Sequence, residues 1–409
     1  MFVFKKYFNI CTLYILLWVL YSLQGSLYER GSIVSRILLV VVLLISIYYC
    51  VSVNVKSKSH PFIKALNVLL LMFTIYGLIY FFSPVTYHLG GYLDDGVSKM
   101  DFLKSIYISL LPIYAFYNFT SRNLLNEQSI KWILILLVLA TTLSYTTIQE
   151  EMVEEALTMG SVRDEFTNNE AYKFVALLPL LFFWNKKPIV QYALMFYIVA
   201  FVFMGMKRGA MLIAILGVLW FVFRMYKNNS GVRRLFLVAL SVVTIIVGLF
   251  YFGQLYSTSE YFQRRIEASL SGDSSGRDVI YSTLWQHFVN ENSVVKLLFG
   301  NGPDFTLSIV GNYAHNDWLE LLICHGVCGC IIYLFYFVTL VKTLFKARNN
   351  QIVTNVLGMV ICIVFISSLF SMSYNSLSLA LSISIGWSVA KSFKDHEEIR
   401  IFGIRGCER

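Results

Sequence analysis

Long apolar runs, separated by shorter polar connections, follow one another along almost the whole chain. Most of these runs are about 17–25 residues long, the length that an α-helix needs to cross the hydrocarbon core of a bilayer. The pattern predicts an all-α, polytopic integral membrane protein with about twelve transmembrane helices. The predicted spans are 7–23, 37–53, 62–82, 103–119, 131–148, 171–184, 189–206, 209–223, 235–252, 316–341, 352–370 and 376–391.

One connection is far longer than the others. The segment 253–315 contains the stretch DVIYSTLWQHFV, whose apolar residues recur at helical spacing, and before it Ser275 and Asp278 have the spacing of a capping box. We expect amphipathic helices that lie against the membrane face. The predicted divisions of the chain are N-terminal transmembrane helices (1–160), central helices of the core (161–252), the large loop (253–315), C-terminal transmembrane helices (316–391) and a tail (392–409).

The distribution of charge predicts the orientation. If both termini are cytoplasmic, most of the 33 Lys and Arg residues lie in cytoplasmic segments and most of the 24 Asp and Glu residues lie outside, as the positive-inside rule requires. The net charge of +9 therefore reflects orientation in the membrane. Since the basic residues form no stripe interleaved with aromatic residues, we exclude a nucleic-acid partner.

The stretch MGMKRGAML departs from this charge distribution. Lys207 and Arg208 lie in a very short connection on the predicted outer side, directly between Met206 and Gly209. Cations in such a turn can extend to lipid headgroups, but that arrangement suits the inner side better. Holding an Arg near hydrocarbon costs about 2.5–3.5 kcal/mol. We therefore interpret the pair as an anion-binding site.

Two further residues on the predicted outer side are candidate functional residues. Arg277 opens the amphipathic helix, where free N–H groups and a guanidinium can bind phosphate together; a surface ion pair with Asp273 or Asp278 is the alternative. His315 lies at the membrane surface, where the large loop enters the tenth predicted span, and its ordinary pKa lies near neutral pH. Neighbouring Arg charges would lower that pKa and keep the side chain a neutral base, although an ordinary loop histidine is the alternative.

Four motifs in this region together resemble those of the O-antigen ligase and polymerase superfamily. His315 and Asn316, followed by Gly326 and Gly329, match its H-N-x9-G-x-x-G signature, and the two glycines would let another helix approach closely. FTNNEAYKFVALLPLLFF, GMKRGAMLIAIL, and SSGRDVIYSTLW followed by LLFGNGPDF are similar to its other motifs and occur in the family's order. Lys207 departs from the pattern, because the family usually has a small residue there.

The resemblance implies an all-helical fold similar to type C glycosyltransferases in the bacterial inner membrane, with the active site on the periplasmic face. It implies transfer of a glycan from undecaprenyl diphosphate, with inversion at the anomeric carbon and without a metal or another cofactor. The cysteines fit this expectation, since Cys328 and Cys330, with the nearby His325, lack a second pair of metal ligands. The implied partners are the lipid-linked glycan, membrane lipid and a chain-length regulator protein.

The residues singled out above fit that chemistry. Negative charge grows on the diphosphate as the glycosidic bond breaks, so cations placed there stabilise the transition state. The acceptor hydroxyl loses a proton as it attacks, and His315 is the candidate general base. The candidate diphosphate-binding residues are Arg208, Arg277, Lys207 and Lys173, with Asn316 and Asp278 as supporting residues.

Three functions remain open at this point. A polymerase would join lipid-linked repeat units into O-antigen, capsular polysaccharide or exopolysaccharide, whereas a ligase would move a finished polysaccharide onto lipid A-core. We favour the polymerase, because such polymerases are numerous and typically rich in aromatic residues, which make up 16% of this chain. A transporter or lipid flippase fits less well, because charges within the predicted spans are nearly absent and Pro112 and Pro179 do not occupy matching halves.

Overall fold

The computed structural model describes residues 9–56, 60–90, 96–158, 166–272, 274 and 276–406. These residues form helices joined by loops, and no strand occurs among them. The helices are α1 (Ile10–Ser22), α2 (Ile33–Lys56), α3 (Pro61–Phe82), α4 (Lys99–Ser121), α5 (Glu127–Thr158), α6 (Ala171–Val175), a 3-10 helix (Leu178–Trp184), α7 (Pro188–Met204), α8 (Arg208–Lys227), α9 (Gly231–Thr258), α10 (Glu260–Leu270), α11 (Arg277–Val289), α12 (Val294–Phe299), α13 (Thr306–Val310), α14 (Asp317–Lys346), α15 (Gln351–Phe370) and α16 (Leu379–Gly406).

The all-α, polytopic membrane class is confirmed. Within the described residues, each predicted span coincides with a helix or, at 171–184, with α6 and the 3-10 helix in succession. Seven of the described helices are long and apolar enough to cross a membrane, namely α2, α3, α5, α8, α9, α14 and α15. Shorter apolar helices occur at α1, at α6 with the 3-10 helix, at α7 and in the first part of α16. The count of twelve spans and the divisions of the chain stay predictions.

The predicted span 103–119 belongs to neither group, because serine and tyrosine residues interrupt its apolar sequence. It forms most of α4, which lies at the centre of the bundle and packs against α2, α3 and α16. Its polar groups are satisfied by protein neighbours: the Tyr114 hydroxyl donates to Oδ1 of Asn67 at 2.6 Å, and Oγ of Ser109 accepts the N–H of Leu377 at 3.1 Å. Helix α4 is therefore a core helix that is shielded from lipid.

Helix α14 bends at Gly326, which has a φ of 66° and a ψ of −169°. The carbonyls just before the bend accept hydrogen bonds from outside the helix, since the N–H groups of Asn301 and Gly302 donate to residues 323 and 324 at 3.1 and 2.9 Å. A Cβ at Gly326 would overlap the backbone at Leu298, which follows from the close packing of α12 on the bend. The expected close approach is thus confirmed at Gly326. At Gly329 a Cβ would instead meet the side chain of His325 in the same helix.

Helices α10 to α13 occupy the segment predicted as the large loop. The side chains of Leu284, Ala314 and Ile323 are at most 1% exposed and form a small apolar cluster of their own. Leu284 belongs to α11, whereas Ala314 and Ile323 flank the first turns of α14. The cluster therefore packs α11 against the start of α14. Arg277, the first residue of α11, is thereby brought near the loop that contains His315.

The bend at Gly326 can be tested by substitution with alanine. A residue with a Cβ in this backbone conformation costs about 1–3 kcal/mol, and the overlap with Leu298 adds to that cost. We expect Gly326→Ala to lower the apparent melting temperature of the purified protein in detergent by about 5 °C or more. Gly248→Ala in α9 is the matched control, because a Cβ there meets nothing within 4 Å. Equal melting temperatures for the two variants would contradict the account.

Candidate active site

Lys207 and Arg208 lie where α7 ends and α8 begins, and both side chains are partly buried. Met206, directly before them, has a φ of 51°, a left-handed conformation that is uncommon for a residue with a Cβ. The fully buried Asn168, which lies in the loop before α6, holds this turn through hydrogen bonds. Its N–H donates to the carbonyl of Gly205 at 2.9 Å, and its side-chain amide donates to a carbonyl of α5 at 3.1 Å. The turn is therefore held rigidly to two other parts of the bundle.

Cations from two loop helices approach this turn. Burial lowers the pKa of the Lys207 ammonium, and the positive charges of Arg265 on α10 and Arg277 at the start of α11 lower it further. These three residues, together with Arg208 beside Lys207 in sequence, are named the cation cluster below. Residues of three separate elements thus concentrate positive charge at one end of the helix bundle.

The sequence-based prediction does not include Arg265, because it is one of two adjacent arginines in a polar loop. The signal that could have indicated Arg265 is its position relative to Phe262 in the helix. Phe262, three residues earlier, is fully buried and packs edge-on against Phe252 with ring centroids 5.4 Å apart, so Arg265 lies on the inward side of α10. Arg264 instead has a side chain that is 68% exposed and pairs with Glu260 at 3.7 Å.

The backbone of His315 is held in an unusual conformation just before α14. Its φ is 52°, in the left-handed region, and its neighbours fix it there. On one side, the N–H of Ala314 donates to Oε2 of Glu320 at 2.8 Å. On the other, Oδ1 of Asn316 accepts an N–H of the first turn of α14 at 3.0 Å. The carbonyl of His315 itself accepts the Tyr281 hydroxyl at 3.3 Å. Asn316 therefore supports the site as the N-cap of α14.

The pKa of the His315 imidazole is lowered from its ordinary value of 6.5. Burial is the largest cause, and the positive charges of Arg277 and Lys207 contribute further. The predicted effect of neighbouring cations is confirmed in direction, with burial as a larger cause that the sequence did not indicate. At neutral pH the side chain is therefore uncharged and able to accept a proton.

Two buried carboxylates at the start of α14 organise the loops around His315. Glu320 accepts the hydroxyl of Thr306 at 2.8 Å, in addition to the backbone bond described above. Asp317 accepts the N–H of Ser373 and the hydroxyl of Tyr333 at 2.8 and 2.7 Å. Both acidic residues are at most 1% exposed. The sequence-based prediction does not include them, although two acids in DWLE at the start of an apolar helix are the signal that could have indicated them.

His315 lines a cavity of about 410 Å³ between α6, the end of α15 and the loop before α16. Lys173 and Glu170 line the same cavity and form an ion pair of 2.7 Å. The carboxylate of Glu170 is buried, whereas the side chain of Lys173 is 48% exposed. Lys173 thus lines the same cavity as His315, and its charge is offset by a partner three residues earlier. Its role in phosphate binding stays a prediction.

Asp278 lies at the exposed start of α11. It accepts the hydroxyl of Ser274, and this hydrogen bond is the main cause that lowers the pKa of the Asp278 carboxyl. Ser275, the predicted capping residue, and Asp273, one predicted partner of Arg277, lie outside the described residues. Among the residues that the structure describes, Arg277 forms no ion pair with an acidic side chain, Asp278 included.

An apolar cavity of about 470 Å³ lies between α7, α8 and α9 and is lined almost wholly by aliphatic and aromatic side chains. Phe203 and Phe252 line its end at the turn that carries Lys207 and Arg208, with their ring centroids 5.8 Å apart. Phe252 also contacts Phe262 on α10. The apolar cavity therefore ends beside the cation cluster.

Comparison with known families gives a match to part of the chain. Residues 193–334 match the model of a family described as O-antigen ligase. The resemblance to the O-antigen ligase and polymerase superfamily is confirmed. The match includes the cation cluster and His315, whereas Lys173 and the helices before α7 lie outside it. No curated protein matches the chain. The family supports a membrane-embedded enzyme with ligase-like or polymerase-like glycosyl transfer and a lipid-linked glycan as its substrate.

The effect of Lys207 on His315 gives a pH dependence that can be tested. Lys207→Gln removes one of the charges that lower the pKa of His315, so that pKa rises toward 6.5. A base with a higher pKa stays protonated, and therefore inactive, up to a higher pH. We expect the acid limb of the pH profile of kcat/KM for glycan transfer to move to higher pH. The exposed Lys186→Gln is the control, and an acid limb at the same pH in both variants would contradict the proposed coupling.

Proposed function

We propose that the protein polymerises oligosaccharide repeat units carried on undecaprenyl diphosphate, at the periplasmic face of the inner membrane. The observation that carries this proposal is the position of the cation cluster, which lies between the end of an apolar cavity and a neutral histidine. These three features correspond to the three parts of the reaction: a lipid tail, a diphosphate leaving group and an acceptor hydroxyl that must lose a proton.

The donor lipid would occupy the apolar cavity and the cation cluster together. An isoprenoid tail would lie against residues such as Phe203 and Phe252, which leaves its diphosphate at the start of α8. Arg208 and Arg277 can bind phosphate oxygens with two N–H groups each, while Lys207 contributes a point charge. Lys173 is the weakest of the predicted phosphate contacts, because Glu170 already neutralises it.

The transfer step follows from these positions. The acceptor hydroxyl oxygen attacks the anomeric carbon of the donor glycan and forms the new glycosidic bond, while the bond from that carbon to the diphosphate oxygen breaks. The proton of the hydroxyl goes to His315, and the electron pair of the broken bond stays on undecaprenyl diphosphate. Since the charge on the leaving oxygen is larger in the transition state than in the donor, the cation cluster stabilises the transition state more than the bound donor.

Several finer parts of the proposal follow from the family resemblance. They are a fold similar to type C glycosyltransferases, inversion at the anomeric carbon and transfer without a metal, whereas the proposed cytoplasmic termini follow from the charge distribution. A chain-length regulator protein is a further proposed partner. Asn316 and Asp278 have supporting roles. Asn316 is the N-cap of α14 and helps to position His315, whereas Asp278 lies in the first turn of α11 beside Arg277, where it accepts the hydroxyl of Ser274.

Adjacent arginines on α10 offer a matched test of the cation cluster. Arg208→Ala and Arg265→Ala each remove a cation placed at the leaving group, and we expect a loss of about 100-fold or more in transfer rate. Arg264→Ala removes an exposed arginine next in sequence to Arg265, and we expect nearly full activity. The measurement is polymer formation from purified lipid-linked repeat units, with equal amounts of each variant in the membrane. A fully active Arg208→Ala would refute the proposed diphosphate site.

Replacement of His315 distinguishes a polymerase from a ligase by the glycans that accumulate. We expect a deletion strain that carries His315→Ala to display single repeat units on the final acceptor and no ladder of longer chains on a gel. Long chains that remain on undecaprenyl diphosphate, with none on the final acceptor, would instead identify a ligase. An unchanged ladder, compared with the strain that carries the wild-type protein, would show that His315 is not the base.

A further inference from the structure

A second cavity lies beside the one lined by His315, and the proposed transfer step does not use it. Its volume is about 360 Å³, within the range of sites for small molecules. The two cavities share the wall formed by Glu170, Lys173 and residues 376–378. The second cavity is named the hydroxyl cavity here, because several hydroxyl and amide side chains lie in its lining beside apolar ones. They include Ser22, Gln24, Ser105, Thr141, Ser144 and Asn375.

The lining of the hydroxyl cavity suits a sugar. Trp18 and Tyr21 line it with their rings 5.8 Å apart and nearly perpendicular, and such amphipathic rings can pack against the C–H face of a sugar ring. Hydroxyl and amide groups both donate and accept, as sugar hydroxyls do. At the shared wall, Oε2 of Glu170 is buried and has no hydrogen-bond partner among the described residues, so it can accept a hydrogen bond from a ligand hydroxyl.

The charges of the hydroxyl cavity argue against a phosphate ligand. Lys173 is paired with Glu170 at 2.7 Å, and Arg30 is paired with Glu151 at the same distance. Both cations in the lining are therefore neutralised by carboxylates, in contrast to the cation cluster. The ligand that fits is a neutral, hydroxyl-rich group.

The position of the cavity indicates which sugar it takes. The charges of Arg277 and Lys207 act on His315, and His315 also lines the cavity that adjoins the hydroxyl cavity. A glycan that extends from the hydroxyl cavity toward His315 would approach the base from the side of Lys173. The glycan whose hydroxyl loses its proton to His315 is the acceptor.

We propose that the hydroxyl cavity binds the sugars of the acceptor glycan and selects which glycan is extended. This inference rests on the proposed function. All residues that line the hydroxyl cavity lie outside the range 193–334 that matches the family model. His315 and the cation cluster come from the matched part of the chain, and the groups proposed for acceptor selection come from the rest.

Two binding measurements on purified, full-length protein separate acceptor binding from donor binding. The first probe is the free repeat-unit oligosaccharide, released from the lipid-linked form by mild acid, and the second is undecaprenyl diphosphate. Ser144→Leu and Asn375→Leu place apolar groups in the hydroxyl cavity. We expect each variant to bind the oligosaccharide at least about tenfold more weakly than the wild type, with unchanged binding of undecaprenyl diphosphate, which also shows that the variant is folded.

The control is Thr146→Leu, which changes an exposed residue on the same helix as Ser144, outside the lining of the hydroxyl cavity. We expect it to bind both probes as the wild type does. Unchanged binding of the oligosaccharide in both cavity variants would overturn the inference, and so would an equal loss of both probes. A wild-type protein that binds no undecaprenyl diphosphate and forms no polymer would overturn the proposed function instead, whatever the oligosaccharide result.

Discussion

The hydrogen bonds of two buried carboxylates hold the candidate site together. Away from water, a carboxylate needs hydrogen-bond donors, and a donor left without its acceptor is costly as well. Glu320 and Asp317 meet this requirement with groups from the loop before α14, from α13 and from the loop after α15. The left-handed backbone of His315 persists because Glu320 accepts the N–H of Ala314 on one side of it and Asn316 caps α14 on the other. The position of the proposed base thus depends on side chains that need never touch a substrate.

In the cation cluster, by contrast with the two carboxylates, groups of like charge are held near one another. Burial is the largest cause of the lowered pKa of Lys207, and the positive charges of Arg265 and Arg277 add to it, so the potential at this site disfavours the charged form of Lys207. The same potential favours an anion, and a bound anion would in turn raise the pKa of Lys207. In the proposed function, a bound diphosphate would relieve the repulsion among the cations of the free site.

The sequence predicted the helices well, because a helix satisfies its backbone hydrogen bonds within its own segment, as a chain that crosses a bilayer requires, and a long apolar run marks such a helix. Lys207, Arg208 and His315 stood out because charged or titratable groups are rare beside such helices. Arg265 did not stand out, since its role depends on how α10 folds back over the turn between α7 and α8. The bend at Gly326 could not be predicted either, because it depends on the close packing of α12, which is distant in sequence.

Helix α9 lies at the edge of the bundle, with Leu237 and Ser241 as its buried residues. Ile245 and Leu249 line the apolar cavity and are nevertheless 49% and 65% exposed. The cavity therefore communicates with the outer surface of the helix bundle, where lipid chains would surround it. A lipid-linked substrate could enter sideways by diffusing in the plane of the membrane, with its tail in hydrocarbon throughout. The spent carrier could leave by the same route while the growing glycan stays on the aqueous side, so that each round of transfer exchanges one lipid for another without extracting either from the bilayer.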